Sequence, residues 1–170
     1  MPIFRLLPDH ASAYRALMLR AYTDHPDAFT SSAAERSALP LSWWEQRLQC
    51  DPLSPELVLG AFLDGELAGA VGVSFEPREK ARHKATLFGM VVSDRHRQQG
   101  LGQALLLAAL EAARQRPGVR QIQLTVTEGN RTALNLYQRC GFVPFGLEPD
   151  AVAVGEHFVS KVHMTCPLVA

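Results

Sequence analysis

Apolar and polar residues change their period several times along the chain, and these changes predict an alternation of strands and helices. Two apolar runs, Leu57 to Leu63 and Leu67 to Phe75, flank Asp64-Gly65-Glu66, and Asp-Gly between such runs is a strong β-hairpin signal. A third antiparallel strand is predicted from about Lys84 to Val92. The helix predicted from Leu101 to Arg114 is apolar nearly all round, so we expect it to pack deeply against a sheet.

The same pattern extends to both ends of the chain. The N-terminal part predicts a strand over Ile3 to Leu7, a helix capped by Asp9 from about His10 to Tyr22, a loop from Asp24 to Leu39, and a second helix capped by Ser42. The C-terminal part predicts a strand over Gln121 to Val126, a helix from Asn130 to Cys140 ended by Gly141, and strands over Phe142 to Phe145 and His157 to Met164. This order indicates one mixed α/β domain that spans residues 1–170.

Composition and charge narrow the possible functions. Lys plus Arg and Asp plus Glu number 17 each, so there is no basic excess to attract nucleic acid or an anionic membrane. The chain has three cysteines, an odd number without metal-binding spacing, which favours a reducing compartment and no metal site. No apolar run approaches the ~20 residues that a membrane span needs. We therefore expect a cytoplasmic protein with no nucleic-acid or membrane partner.

The stretch Arg97-Gln-Gln-Gly100-Leu-Gly102 carries the first chemical signal. It joins a predicted strand to a predicted helix, and a glycine loop that opens a helix presents free N–H groups to an anion, with Arg97 beside them. The candidate phosphate-binding groups are the main-chain N–H groups of Gln98, Gln99, Gly100, Leu101, Gly102 and Gln103. A Walker loop is excluded because no Lys-Ser/Thr follows Gly102, and a dinucleotide fingerprint lacks its third glycine.

A second motif lies downstream. Asn130-Arg-Thr-Ala133-Leu-Asn-Leu136-Tyr137-Gln-Arg-Cys-Gly141-Phe142 matches N-x-x-A-x-x-L/F-Y-x-x-x-G-F, and the glycine loop matches R/Q-x-x-G-x-G/A. Together, in this order and spacing, the two motifs resemble the signatures of the GNAT acetyltransferases, tightly over about residues 83 to 146. The resemblance implies a GNAT fold, with a six- to seven-stranded, mostly antiparallel sheet and about four helices.

The resemblance also implies a reaction: transfer of an acetyl group from acetyl-CoA to a primary amine, by direct attack in a ternary complex. The glycine loop would bind the pyrophosphate, and main-chain groups of Met90, Val91 and Val92 the pantetheine, with the Met90 N–H near the thioester oxygen. Asn130 and Tyr137 fall on one face of the predicted helix. Asn130 would bond the pantetheine, and Tyr137 would protonate the departing thiolate as general acid.

The general base is less clear from the sequence. Many members of the family carry a glutamate on the strand before the glycine loop, and Thr86 stands at the matching position here. The candidate bases are therefore His83, Glu76 and Glu128, or water, or an amine that arrives neutral.

The acceptor side remains open between several alternatives. Family resemblance places the acceptor pocket in Asp24 to Leu39 and roughly Leu147 to Glu156, where acidic side chains could attract a cationic amine: Asp24, Asp27, Glu35, Glu148, Asp150 and Glu156. The acceptor would be a small amine or a peptide N-terminus, and acetylation of a specific protein is a further option. The non-enzymatic alternative is a CoA-binding sensor or interaction module on the same fold. Homodimers are common in the family, so a homodimer is possible.

Overall fold

The computed structural model describes residues 1–168, in which one seven-stranded sheet carries five α-helices. The strands are β1 (Phe4–Arg5), β2 (Glu56–Leu63), β3 (Glu66–Phe75), β4 (Lys84–Val92), β5 (Gln121–Thr127), β6 (Val143–Val154) and β7 (His157–Pro167). The helices are α1 (Ala11–Asp24), α2 (Ala33–Ser37), α3 (Leu41–Arg47), α4 (Leu101–Gln115) and α5 (Arg131–Arg139). The predicted mixed, mostly antiparallel sheet is confirmed.

The strands lie in the order β1-β2-β3-β4-β5-β7-β6, and β4 with β5 is the parallel pair among otherwise antiparallel neighbours. That parallel ladder is short, since it ends where Thr86 pairs with Gln123. Beyond this pair both strands continue without pairing to each other. The sheet therefore opens into a gap between β4 and β5, which we call the V.

Helices cover the two faces of the sheet and form two cores. On the α4/α5 face, Leu105, Leu106 and Tyr137 pack into one buried cluster with residues from the central strands. On the α1/α3 face, Tyr14 and Trp44 belong to a second cluster. The all-round apolar α4 is thus explained by its position over β2, β3 and β4, where its burial removes apolar surface from water.

A β-bulge interrupts β4 beside the V. The ladder between β3 and β4 shifts register between Phe88 and Val91, so that Gly89 and Met90 together face a single residue of β3. Gly89 has a φ of +58°, which glycine adopts without strain. The extra residue changes the alternation of faces. Met90 and Val92 consequently pack against the α4/α5 core, whereas Phe88 and Val91 pack against the α1/α3 core.

The segment predicted as a loop from Asp24 to Leu39 contains helix α2, so that prediction was wrong. Ser32 caps this helix by accepting from the Glu35 N–H at 3.1 Å, and the Glu35 carboxylate accepts from the Ser32 N–H in return. This capping box was legible in the sequence as Ser-x-x-Glu. Two predicted caps also shift, because α1 has His10 rather than Asp9 at its N-cap and α3 begins one residue before Ser42.

The C-terminal hairpin is longer than predicted. The segment Leu147 to Glu156 was predicted as a loop, but β6 continues through most of it to Val154, paired with β7. The continuation of β6 was not predicted because the segment contains Pro149, and proline normally interrupts a strand. The strand accommodates it at an irregular stretch between Glu148 and Val152, where Asp150 has a φ of +48°.

Within residues 1–168, no helix has the length and apolar character that crossing a bilayer requires. The same residues contain no group of three or more His, Cys, Asp or Glu side chains arranged to hold a metal ion.

Candidate active site

The glycine loop presents a row of unpaired donors. Gln98 and Gly100 both have positive φ, at +61° and +80°, and such left-handed residues turn successive N–H groups toward a common point. The first hydrogen bond of helix α4 runs from the Ala104 N–H to the Gly100 carbonyl at 3.0 Å. Among the described residues, none of the six N–H groups from Gln98 to Gln103 donates to an acceptor. Unpaired N–H groups in a loop that opens a helix are suited to bind a polyanion.

Arg97 has a different role from the one its sequence position suggests. Its Nε lies 3.1 Å from the Asp94 carboxylate in an ion pair, and its Nη2 lies 2.9 Å from the His25 Nε2. His25 follows helix α1, so Arg97 connects the loop to that helix. The guanidinium charge is shared with Asp94 rather than aimed alone at the loop. The main-chain groups therefore carry most of the anion binding that this loop can supply.

Gly102 marks the place where the two sequence motifs meet. A β carbon at this position would lie 3.4 Å from Leu136 of α5, 3.7 Å from Met90 and 3.8 Å from Val92. The start of α4, the bulged end of β4 and helix α5 thus converge at the mouth of the V. Because the β4–β5 ladder has ended at Thr86, main-chain groups of Met90 and its neighbours toward β5 have no partner strand. An extended ligand can pair with such an edge.

Tyr137 lies on α5 beneath the V and is almost fully buried. Its ring packs edge-on against Phe142, with 5.8 Å between ring centroids. Burial raises the pKa of Tyr137 to about 12, so the phenol keeps its proton at neutral pH. No hydrogen-bond partner of its hydroxyl is found among residues 1–168, and the proton is uncommitted.

Asn130 occupies the N-cap of α5. Its Oδ1 accepts from the Ala133 N–H at 3.3 Å, which fixes the start of the helix. The side-chain amide Nδ2 remains a donor, so Asn130 can cap α5 and bond a ligand in the V at the same time.

Two of the sequence-predicted bases lie at the wrong end of the sheet. His83 directly precedes β4, seven residues before Met90, which corresponds to about 23 Å along a strand. Glu76 follows β3 at the same end, and its carboxylate binds Arg78 at 2.7 Å. The hydrogen bonds from Arg78 lower the pKa of Glu76, which makes it a weaker base. Neither position favours a role as base at a thioester beside Met90, and the assignment of His83 or Glu76 stays a prediction. Glu128 lies at the correct end, after β5, with an exposed side chain.

Several of the predicted acceptor carboxylates lie near another polar group of the chain. Asp24 lies 3.9 Å from Arg20, Glu35 completes the α2 capping box, and Asp27 lies 3.8 Å from His157. Asp150 and Glu156 are exposed near the β6–β7 turn.

The two tryptophans of α3 differ in burial. Trp44 is fully buried, whereas Trp43 is half-buried and has the guanidinium groups of Arg36 and Arg47 over its ring.

A polar surface on the α1/α3 face was missed by the sequence reasoning. Lys161 and His163 of β7 lie opposite Thr127 and Thr125 of β5, and the His163 Nε2 lies 2.9 Å from the Glu148 Oε2. The signal was present, because β7 alternates polar and apolar side chains from Lys161 onward. Such alternation is typical of a strand, but it could not show that this polar face borders the V.

A family model supports the interpretation of the glycine loop and the Asn130–Phe142 motif as GNAT signatures. The model of the "Acetyltransferase (GNAT) family" matches residues 17–142. A solved GNAT acetyltransferase from Streptococcus pneumoniae superposes with a TM-score of 0.87 at 30% identity, covering 98% of each chain. A Salmonella typhimurium protein solved with acetyl-CoA superposes with a TM-score of 0.81 at 20% identity, over all of this chain and 95% of that one, which shows the shared fold.

Curated relatives match over shorter stretches. The streptothricin acetyltransferase of Streptomyces lavendulae is 33% identical over 108 residues, which is 61% of this chain and 54% of that protein. An L-amino acid N-acetyltransferase of Escherichia coli is 31% identical over 99 residues, 58% of this chain and 59% of that one. The chain thus matches little more than half the length of either relative. With both motifs at the mouth of the V and the fold shared along the chain, the protein belongs to the GNAT acetyltransferase family.

Proposed function

We propose that this protein is an acetyl-CoA-dependent N-acetyltransferase that acetylates a primary amine, either a small molecule or a peptide N-terminus. The observation that carries the proposal is the row of unpaired N–H groups from Gln98 to Gln103 at the mouth of the V. These donors fit a pyrophosphate, and the unpaired edge of β4 fits the extended pantetheine arm. A long phosphorylated donor bound in this way would leave the α1/α3 face of the V for an acceptor.

The donor would lie along β4 as an additional strand. Main-chain groups of Met90 and Val92 would pair with the pantetheine, and the Met90 N–H would donate to the thioester oxygen as negative charge develops there. Val91 would contribute through its packing on the opposite face, where it is buried. The Asn130 side-chain amide would bond the arm from α5.

Tyr137 would act as general acid. Acetyl transfer by direct attack creates a thiolate leaving group, which needs a proton or a hydrogen-bond donor. The buried Tyr137 phenol keeps its proton until that charge appears, since the low-polarity surroundings that raise its pKa penalise the phenolate. Formation of the bound thiolate beside the hydroxyl is then what drives the proton transfer.

The names of the relatives support acetyl transfer to an amine-bearing small molecule. One is a streptothricin acetyltransferase and another an L-amino acid N-acetyltransferase. For the present chain we propose only the class of acceptor, a small molecule with an amine, and not the particular substrates of these relatives. A cytoplasmic location belongs to the same proposal, because the three cysteines are all free thiols.

A CoA-binding sensor or interaction module is the second candidate, since Thr86 replaces the strand glutamate that the family often carries. Release of free thiol from acetyl-CoA separates the two functions. The assay would use a panel of primary amines that includes L-amino acids, an N-terminal peptide and their N-methylated controls. Turnover that requires a free primary amine supports the transferase. If calorimetry detects CoA binding but no acceptor causes release of free thiol, the result supports the sensor. Absence of CoA binding contradicts both the transferase and the sensor.

A further inference from the structure

A histidine and a glutamate form a hydrogen-bonded dyad on the α1/α3 face. The His163 Nε2 on β7 lies 2.9 Å from the Glu148 Oε2 on β6. A carboxylate only accepts hydrogen bonds, so in the neutral imidazole Nε2 carries the hydrogen and Nδ1 keeps its lone pair. A histidine held in one tautomer by a carboxylate, with its other nitrogen free, has the arrangement of a general base.

The dyad lies one strand from the V. Thr86 and Gln123 form the last pair between β4 and β5, and Thr125 lies two residues further along β5 on the same face. His163 is directly opposite Thr125, and side chains so paired have β carbons about 5 Å apart. Thr125 is exposed and the His163 side chain is 35% exposed. An acceptor that approaches the V from this face would therefore pass beside His163.

Charged neighbours surround the dyad from several elements. Lys161 precedes His163 on the same face of β7 and is buried, with its Nζ donating to Thr127 Oγ1 at 2.9 Å. The turn that contains Asp27 covers this pair, since Thr127 Oγ1 donates to the Asp27 carbonyl. Burial lowers the pKa of Lys161, and the charge of Asp27 opposes that effect. Lys161 and Glu148 thus place one amine and one carboxylate near His163.

The V separates this dyad from Tyr137. Tyr137 is buried on the α4/α5 face, and His163 lies on the opposite face, because its neighbours Val162 and Met164 pack into the α4/α5 core. A thioester carbonyl held in the V would thus have a proton donor on one side and a proton acceptor on the other. Direct attack suits this arrangement, since the amine and the departing thiolate occupy different positions around the carbonyl carbon.

We propose that His163, oriented by Glu148, is the general base that deprotonates the acceptor. This assignment rests on the proposed transferase function and supplies the group that Thr86 does not. The Nδ1 lone pair takes one proton from the acceptor ammonium, directly or through a water. The neutral nitrogen forms the C–N bond as the C–S bond breaks, and the thiolate takes the Tyr137 proton. The second proton on nitrogen returns to Tyr137 through solvent, and His163 releases its proton to bulk water.

The test compares His163→Gln and Glu148→Gln with His157→Gln in the thiol-release assay. His157 is a matched control, because it lies on the same strand and also faces a carboxylate, Asp27 at 3.8 Å, but it is at the hairpin turn. We expect His163→Gln to lower kcat/KM by about 100-fold near neutral pH, with unchanged calorimetric affinity for CoA. The deficit should shrink as pH rises, since solution then supplies neutral amine. Glu148→Gln should lose about tenfold, and His157→Gln should match the unsubstituted protein.

Other outcomes overturn the assignment. Equal kcat/KM and an unchanged pH profile in His163→Gln would exclude a base role. A loss that persists at high pH together with weaker CoA binding would show a structural role instead. Nitrogen NMR of the unsubstituted protein tests the same residue without turnover, because a protonated Nδ1 in the neutral ring would contradict the proposal. If the unsubstituted protein releases no thiol with any acceptor, the proposed function fails, and the base assignment fails with it.

Discussion

Gly102 at the start of α4 and Leu136 on α5 lie so close that a β carbon on Gly102 would be 3.4 Å from Leu136 Cδ2. That distance is ordinary van der Waals contact, and the next neighbours, Met90 and Val92, are further away. The two sequence motifs therefore leave room for one methyl group and little more. This explains in physical terms why the motif accepts glycine or alanine at this position.

We accordingly expect Gly102→Ala to fold normally and to bind CoA with nearly unchanged affinity. Gly102→Val should lose affinity by tenfold or more, about 1.4 kcal/mol, because its γ-methyl groups enter the mouth of the V. Isothermal titration calorimetry with CoA measures both variants. Normal binding by Gly102→Val would show that no ligand approaches this position.

Gly100 requires glycine for a different reason. A β carbon there would meet nothing within 4 Å, but the φ of +80° is left-handed. Gly100→Ala should therefore cost about 1 kcal/mol of folding free energy through backbone strain alone, and it should also weaken CoA binding by reorienting the N–H groups. Denaturant unfolding and calorimetry measure the two effects.

Gly118 provides the matched control for Gly100. It has a φ of +84° and equally open surroundings, but it lies after the other end of α4. Gly118→Ala should show the same loss of stability with unchanged CoA affinity. Equal effects of the two substitutions on affinity would mean that the loop conformation does not serve the ligand.

Tyr137→Phe tests the general acid. Removal of the hydroxyl should lower kcat by about 100-fold, while the dissociation constant of CoA changes less than about twofold. Because the pKa of Tyr137 is raised to about 12, its proton is retained through the accessible range, and the unsubstituted enzyme should show no fall in kcat up to about pH 10. Stopped-flow or steady-state rates across that range check this. If kcat falls at high pH in the unsubstituted protein and this fall is absent in Tyr137→Phe, the raised pKa of Tyr137 is refuted. An unchanged kcat in Tyr137→Phe would refute its role as general acid.

Tyr14 carries a cost in stability that substitution should remove. Its hydroxyl is fully buried and makes no hydrogen bond of good geometry in the described part of the chain, although the Arg47 guanidinium lies near enough to oppose the rise in its pKa. Tyr14→Phe should therefore stabilise the protein by about 1 kcal/mol in denaturant unfolding. Tyr22→Phe, on the same helix, is the comparison, because the Tyr22 hydroxyl is not among the buried unpaired groups. Destabilisation by Tyr14→Phe would indicate a partner, such as bound water, that the hydroxyl needs.

The buried tyrosines also predict sensitivity to alkali. Burial raises the pKa of both Tyr14 and Tyr137 to about 12, against an ordinary value of 10.0. As pH rises, these tyrosines lose their protons in the unfolded chain before they do so in the folded protein. The stability that the protonated tyrosines contribute is therefore complete below pH 10 and is lost as pH rises through 12. Between pH 10 and 12, each of the two tyrosines should lower the free energy of unfolding by about 1.4 kcal/mol per pH unit. Unfolding free energies at pH 9 and 11 should differ less in the Tyr14→Phe/Tyr137→Phe double variant. An equal difference would assign the alkaline loss to other groups.

Local signals allowed much of the fold to be predicted. Asp64-Gly65 forms the predicted turn between β2 and β3, and Gly65 has the positive φ that such a turn needs. The helices α4 and α5 appear at the predicted places because apolar spacing and the Asn130 cap act within a few residues. The missed helix α2 had a local signal in its capping box, whereas the error at β6 arose where a distant partner overrides local preference, since β7 pairs with β6 on both sides of Pro149.

The sequence by itself determined the glycine loop, the tyrosine helix and the family, because each depends on residue types at fixed short spacing. Only the tertiary structure decided which groups meet across the V. The early end of the β4–β5 ladder at Thr86, the bulge at Gly89, and the pairing of β5 with β7 arise from contacts between distant segments. Those contacts place His83 far from Met90 and bring His163 beside the V, a relation that no local pattern encodes.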